Sequence, residues 1–329
     1  EVRGNMVFHY GGEARVLQEA RSSFGNQSGR FAFGDIWTRN RYNAGDFATG
    51  NALSGFLLGL PTGGDFPRNA NRFNSQRYYG VYFQNDWRVT SKLTLNMGLR
   101  WDVETPWVER FDRMTSEFDP TAVNPISDLA QASYANILNN IVLKDPVKYP
   151  FGQQLAQLTP VSSFKVYGVQ RFSGVDGRQR GATNIHWREW QPRVGFAYRI
   201  TPTMVVRGGF GRFAQSSDIK GGQNGFSRST PFTRSLDSDL TPYDTLANPF
   251  RDGILEPTGS SLGAMTNLGQ GVDFVNQNPA KAYSWEYSLH VQKQIKTWLL
   301  EVGYSHNKTY DIASSLDQNL QTFDQWKTF

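Results

Sequence analysis

The chain has 329 residues, a formal net charge of +5, 38% hydrophobic and 14% aromatic residues, 32 glycines and no cysteine. Mean hydropathy is −0.52 and the longest apolar run is Phe56–Leu60, far short of the roughly 20 residues of a membrane-spanning helix. Missing thiols exclude disulfides, thiolate metal sites and a cysteine nucleophile, and no run of Lys/Arg is present to follow a nucleic-acid backbone.

What the chain does have is period-two patterning, the signature of strands with one apolar and one polar face. Near the N-terminus Val2, Met6, Phe8 and Tyr10 share a face. Strands over Met6–Val16 and Arg30–Trp37 are predicted to pair across the polar stretch Ser22–Gly29. The clearest hairpin follows, Tyr79–Val89 with Lys92–Val103. Val81, Phe83 and Trp87, then Leu93, Leu95, Met97, Leu99 and Trp101, fall on its apolar side, broken only by Asn85. Within the next long connection, Ile126–Leu143 is predicted to be helical.

A second hairpin is predicted over Pro192–Ile200 and Thr203–Phe213, with Val194, Phe196 and Tyr198 on its apolar side. Pro202 sits in its turn, where a fixed φ helps and a missing N–H costs nothing. The third runs over Tyr283–Ile295 and Trp298–Tyr310, with Trp285, Leu289, Trp298 and Leu300 on its apolar side. Glu1 enters an alternating segment directly, while alternation before Phe329 fails at Gln325 and Lys327. Both ends are therefore read as cuts through a longer protein.

Tight turns are expected near Thr90-Ser91, Thr201-Pro202 and Lys296-Thr297, and long polar segments over Thr38–Asn71, Thr105–Trp187 and Ala214–Lys281. In an antiparallel meander alternate connections fall on opposite rims, so this places short turns on one rim and long loops on the other, as in outer-membrane barrels. Alternation by itself also fits a soluble β-sandwich. Two features favour the membrane: strands of roughly 10–13 residues, where a tilted bilayer crossing takes about 9–11 and ordinary strands about 5–6, and aromatic rings gathered toward strand ends. The fifteen apolar-side residues named in the three hairpins are thus read as lipid-facing. Arg88, Arg100, Arg193, Arg199 and Arg207 are expected to point inward, with Asp86, Asp102 and Glu286 available to offset them.

Catalytic and metal chemistry is not assembled by any spacing. His9, His186, His290 and His306 are far apart, and the Gly208, Gly209 and Gly211 stretch has no helix after it to cradle phosphate. These glycines are expected to relieve crowding in a curved wall. Asp237, Asp239 and Asp244 share a loop without the order of a calcium-binding hand and are read as a solvated acidic loop. No cofactor, metal or enzymatic activity is expected.

Three segments resemble TonB-dependent outer-membrane receptors of the Oar-like type: YYGVYFQNDWRVTSKLTLNMGLRWDVETPWVERFDRMTSEFDP from Tyr78 to Pro120, WQPRVGFAYRITPTMVVRGGFGRF from Trp190 to Phe213, and NPAKAYSWEYSLHVQKQIKTWLLEVGYSHNKT from Asn278 to Thr309. ALSGFLLGLP, Ala52–Pro61, is similar to the loop before the first. The resemblance implies a plugged barrel of about 22 strands that imports a scarce nutrient, such as an iron chelate, cobalamin or a glycan, with energy from a TonB-type complex. The chain departs from the full pattern: about 8–10 strands are countable, with no plug, coupling box or closing strand. The fold expected over 1–329 is therefore all-β, part of one antiparallel transmembrane barrel, whose partners are membrane lipid, the coupling complex through the missing plug, and a small-molecule or glycan ligand. Trp107, Trp187, Phe226 and Tyr243, in the long loops, are the candidate ligand-stacking rings. Two alternatives stand beside this: an outer-membrane adhesin barrel without active transport, and a soluble carbohydrate-binding β module.

Overall fold

Fourteen strands occur among the described residues, 1–40 and 49–319 of this computed structural model. In chain order they are β1 (Val2–Arg3), β2 (Met6–Arg21), β3 (Arg30–Ala32), β4 (Gly63–Asn69), β5 (Arg72–Arg88), β6 (Leu93–Glu104) and β7 (Val108–Glu109). There follow β8 (Thr115–Val123), β9 (Tyr167–Phe172), β10 (Trp190–Thr201), β11 (Met204–Ala214), β12 (Ser227–Pro231), β13 (Tyr283–Ile295) and β14 (Trp298–Tyr310). Helices α1 (Ala52–Leu57), α2 (Ser127–Ile137) and α3 (Gly152–Leu158) lie in the connections. The helix expected over Ile126–Leu143 is α2, continued by a wider turn over Leu138–Val142.

The wall is an antiparallel sheet in the order β1-β2-β5-β6-β10-β11-β13-β14, with β7 beside β5. Its path does not close, so the fold is part of a barrel. All three predicted hairpins are present, and the bounds of the third match residue for residue. The first is longer than predicted, because β5 begins at Arg72. The predicted pairing of Met6–Val16 with Arg30–Trp37 is corrected. β2 pairs along its whole length with β5, Met6 against Trp87 through Arg21 against Arg72, while β3 joins β4 and β12 in a separate sheet. A 16-residue strand finds far more ladder and cross-strand contact on β5 than on three residues of β3. The residues of the closing segment, Gln325 to Phe329, lie outside those described.

Tight turns fall together on one rim. Besides the three predicted, Gly4 and Asn5 turn β1 into β2, with Gly4 at φ +61° and the Asn5 side chain donating to the Arg88 carbonyl at 2.7 Å. From the other rim leave three excursions, residues 22–71, 105–189 and 215–282. They interlock. β12 of the third pairs with β4 of the first, and Thr115 of the second exchanges two backbone hydrogen bonds with Gly222 of the third, at 2.8 and 2.7 Å. Asn224 secures that junction by donating to Thr115 Oγ1, Gln170 Oε1 and the Asp273 carbonyl.

Burial is inverted relative to a soluble sheet protein, which covers the apolar face of its sheet. Among the described residues the buried hydrophobic side chains are Val103, at the loop end of β6, and Trp107, Met114, Leu138, Phe172, Ala182, Phe226, Phe232 and Phe250, all in the excursions. The apolar face of the wall is uncovered: Val81 and Phe83 are each 51% exposed, Leu289 50% and Trp298 78%. Register puts these residues on one continuous surface. Trp87, Leu95, Phe196, Gly208, Leu289 and Tyr304 form one cross-strand row. Rings mark its two ends, with Trp87 and Trp298 by the tight turns and Trp101 6.0 Å from Trp190 by the loops. No helix among the described residues is long and apolar enough to cross a membrane.

Candidate functional site

The polar face of the wall carries the site. One cross-strand row runs His9, Gln84, Gly98, Arg193, Gly211, Glu286 and Asn307 over seven strands. The next row toward the turns runs Asp86, Asn96, Gly195, Gly209, Ser288 and Ser305. From Gln84 and Asn96 onward, these two rows line an open trough of about 630 Å³. Gln84 and Asn96 stand at one end and Ser305 and Asn307 at the other, with glycine between them on three adjacent strands.

Charges on this face are sorted by height. Near the loops, Asp102 accepts from Tyr78 Oη at 2.7 Å, from Arg100 Nε at 2.8 Å and from Gln191. Lower down, Asp86 accepts from Asn96 at 2.6 Å and Gln84 at 3.2 Å and lies 3.4 Å from His9. Arg193 reaches no carboxylate among the described residues; its guanidinium lies 4.4 Å from the centre of the Phe213 ring. Glu286 accepts from Asn307 at 2.9 Å. Arg199 donates to the Ser91 carbonyl at 2.6 Å, and register sets Arg88 and Arg207 on the same face. Of the charge pairings expected from sequence, Arg100 with Asp102 is formed.

At the rim the loop layer is fastened to the wall. Glu104 accepts from Ser216 Oγ at 2.6 Å, the Ser217 amide at 3.0 Å and Lys281 Nζ at 3.1 Å. Lys220 bridges Glu19 at 3.0 Å and Asp218 at 2.6 Å while lying over the Trp107 ring. Burial lowers the Lys220 pKa, but the hydrogen bonds to Asp218 and Glu19 outweigh it and hold the ammonium above its ordinary value. Arg113 and Glu109 form a further pair at 2.7 Å around a fully buried carboxylate.

The four candidate stacking rings are dispersed. Trp107 is buried and donates to the Ser217 carbonyl at 3.2 Å. Phe226 is buried beneath Arg72 and Arg113. Tyr243 is half-buried, with its hydroxyl donating to Asp252 at 3.0 Å and Arg251 over its ring. Trp187 alone of the four is well exposed, at 59%. The acidic loop is internally satisfied: Asp237 serves Ser235 and Thr241, Asp239 pairs with Arg234, and Asp244 accepts from the Thr233 and Arg251 amides. Hydrogen bonds from the Thr241 and Ser235 side chains hold the Asp237 carboxyl well below the usual range. His290 is on the polar face, 3.1 Å from Glu301, whereas His306 is on the apolar face, stacked on Tyr287 at 4.8 Å.

The glycine stretch is also redistributed. Gly208 faces outward, where a Cβ would run into the Phe196 ring, and Gly211 is crowded by Phe213 and Arg193. Gly98, Gly195 and Gly209 form the floor of the trough; of these only Gly209 was expected from sequence to relieve crowding, and a Cβ there would meet nothing closer than 3.6 Å. The available signal was glycine at polar-face positions of successive strands, in NMGLR, RVGFA and RGGFG.

A family model described as "outer membrane beta barrel domain" matches residues 1–327. Among solved structures, the alcaligin outer membrane receptor FauA from Bordetella pertussis is similar at 11% identity and a TM-score of 0.22. That match covers 76% of this chain, which spans 38% of the length of the receptor. No curated protein matches the chain. With the family model covering almost its entire length, the chain belongs to the outer membrane β-barrel domain family, and its setting is the outer membrane.

Proposed function

We propose that the chain forms part of the wall and the external loop layer of a TonB-dependent outer-membrane transporter, one that imports an iron chelate, cobalamin or a glycan through a plugged barrel. The observation that carries this reading is where the apolar side chains go. The loop layer keeps its own buried core, while the apolar face of the wall is left open and the polar face forms a trough. Hydrocarbon would cover the open face, with Val81, Phe83, Trp87, Leu93, Leu95, Met97, Leu99 and Trp101 against lipid tails. Val194, Phe196, Tyr198, Trp285, Leu289, Trp298 and Leu300 would continue that surface. Lipid cannot satisfy backbone groups, so the free sheet edges need partner strands within the whole barrel. The coupling complex would act through a plug, and the ligand would enter through the interlocked loops.

The test is uptake by cells with and without the full-length protein, offered a ferric hydroxamate, cyanocobalamin or a neutral oligosaccharide, each with and without a protonophore. Accumulation of one class that the protonophore abolishes supports the transporter. Surface binding without accumulation makes the barrel an adhesin, and no difference for any class removes both readings.

A further inference from the structure

Arg212 of β11 and Lys308 of β14 stand on the apolar face of the wall, in one cross-strand row with Trp285 of β13 between them. Charge on a lipid-facing surface is costly, so each needs an offset. Arg212 has one within the protein: it donates to the Trp190 carbonyl at 2.8 Å and lies 3.2 Å from the buried Glu189 carboxylate. Lys308 is exposed and meets no carboxylate among the described residues. Both side chains lean toward the loop rim, as long cations do to bring their heads to the membrane boundary. The Arg212 guanidinium lies 4.3 Å from the centre of the Tyr283 ring, and the Lys308 ammonium 5.0 Å from that of Tyr310. Those two rings form the next row toward the loops and stack on each other at 5.4 Å and 16°. Height fits as well. Lys308 is ten residues along β14 from Trp298 at the turn rim, about 33 Å of strand. A tilt of about 40° reduces this to about 25 Å, the height of the apolar band in such barrels. With Trp298 at one boundary of the membrane, Lys308 stands at the other.

We propose that Lys308 and the Tyr283–Tyr310 pair bind the phosphate of a membrane lipid headgroup, an inference that rests on the reading of the open face as lipid-covered. Glu189 offsets Arg212, so the cluster keeps one uncompensated positive charge, that of Lys308, which one anionic phosphate balances. An ammonium gives such a phosphate charge-assisted hydrogen bonds, and phenolic hydroxyls are further donors. Basic groups at the membrane boundary recognise anionic headgroups in this way. Below the cluster on β14 the outward positions include Tyr304, Val302 and Leu300, at 63%, 67% and 57% exposure. They form an apolar track on which the acyl chains of the same lipid lie. A free phosphate gains nothing from that track, and an uncharged lipid leaves the ammonium without a counter-ion.

The test uses the full-length protein, purified in an uncharged detergent and titrated with dioleoyl phosphatidic acid or with dioleoylglycerol, which has the same tails and no phosphate. Retained lipid is counted by mass spectrometry of the intact protein, for wild type, Lys308→Gln, Tyr310→Phe and the control Lys148→Gln. Lys148 also sets its ammonium over a tyrosine, Tyr149 at 5.3 Å, but in the second excursion and away from the wall. Folding of each variant is scored by its heat-modifiable gel mobility. Wild type and Lys148→Gln are expected to retain phosphatidic acid alike, and several-fold better than dioleoylglycerol. Lys308→Gln should lose most of that preference, with dioleoylglycerol unchanged. If folded Lys308→Gln retains phosphatidic acid as wild type does, the inference is overturned. Should Lys308→Gln not fold, unchanged retention by Tyr310→Phe overturns it equally. Displacement of phosphatidic acid by an excess of inorganic phosphate would assign the cluster to the free anion and overturn the lipid assignment. Equal retention of the two lipids by wild type removes only this inference and leaves the wall facing lipid. Retention of neither removes both readings.

Discussion

Lys281 and Glu104 meet at 3.1 Å with each side chain less than a tenth exposed, joining the start of β13 to the end of β6 across two intervening strands. Because Glu104 also holds Ser216 and Ser217, just beyond β11, both ends of the third excursion close on one carboxylate. Removing one member of such a pair strands a buried charge, at a cost of about 3–5 kcal/mol. Lys281→Met is expected to lower the local stability of this rim by that order. Lys281→Met combined with Glu104→Gln should lose distinctly less. Hydrogen exchange at Ser217 and Tyr283 in the two variants measures the difference, and equal losses would mean the charges are not coupled.

The two faces of β13 make a direct comparison. Leu289 is its central residue, on the apolar side, and Ser288 is its neighbour on the polar side. An arginine at the bilayer midplane of a barrel costs about 2–4 kcal/mol, so Leu289→Arg should destabilise the wall by that amount and Ser288→Arg by much less. Urea unfolding in phosphatidylcholine vesicles reads both. Comparable penalties for the two would remove the assignment of the open face to lipid.

The loop layer has a core of its own and should fail on its own. Phe172 is 2% exposed there, and a buried Phe→Ala change costs about 3–5 kcal/mol. Phe172→Ala is expected to open the excursions to trypsin while the wall keeps its heat-modifiable mobility. Simultaneous loss of both would show one cooperative unit in place of two.

Asp119 gives the loop layer an acid limit. Its carboxyl accepts from the Thr121 hydroxyl and the Thr121 and Ala122 amides, with Arg171 3.3 Å away. These contacts, the Thr121 hydroxyl first, hold its pKa at about 2 against an ordinary 3.8. A depressed carboxylate contributes stability that is complete above the ordinary value and is lost as pH falls toward the folded one. Protection of the Thr121 and Ala122 amides should therefore weaken between pH 4 and 2. Asp119→Asn should abolish that pH dependence, which exchange measured across the range will show.

Much of the wall was legible in the sequence because its causes are local. Alternation along β13 and β14 assigned the two faces and both strand ends, and Pro202 marked a turn by its fixed φ, whereas Lys296 turns the third hairpin at φ +55°, against a lysine's own preference. The distribution of short and long connections was enough to place the two rims. Partner choice was not legible. β2 passes over the nearby Arg30–Trp37 segment to pair with β5, because the gain from a full-length ladder is a property of two distant segments together. Enclosure was equally hidden: Trp107 and Phe226 read as loop aromatics and are buried, since only the interlocking of three excursions supplies atoms to cover them. The trough was hidden for the same reason, because glycines mean little on separate strands and leave a bare floor only once register sets them side by side.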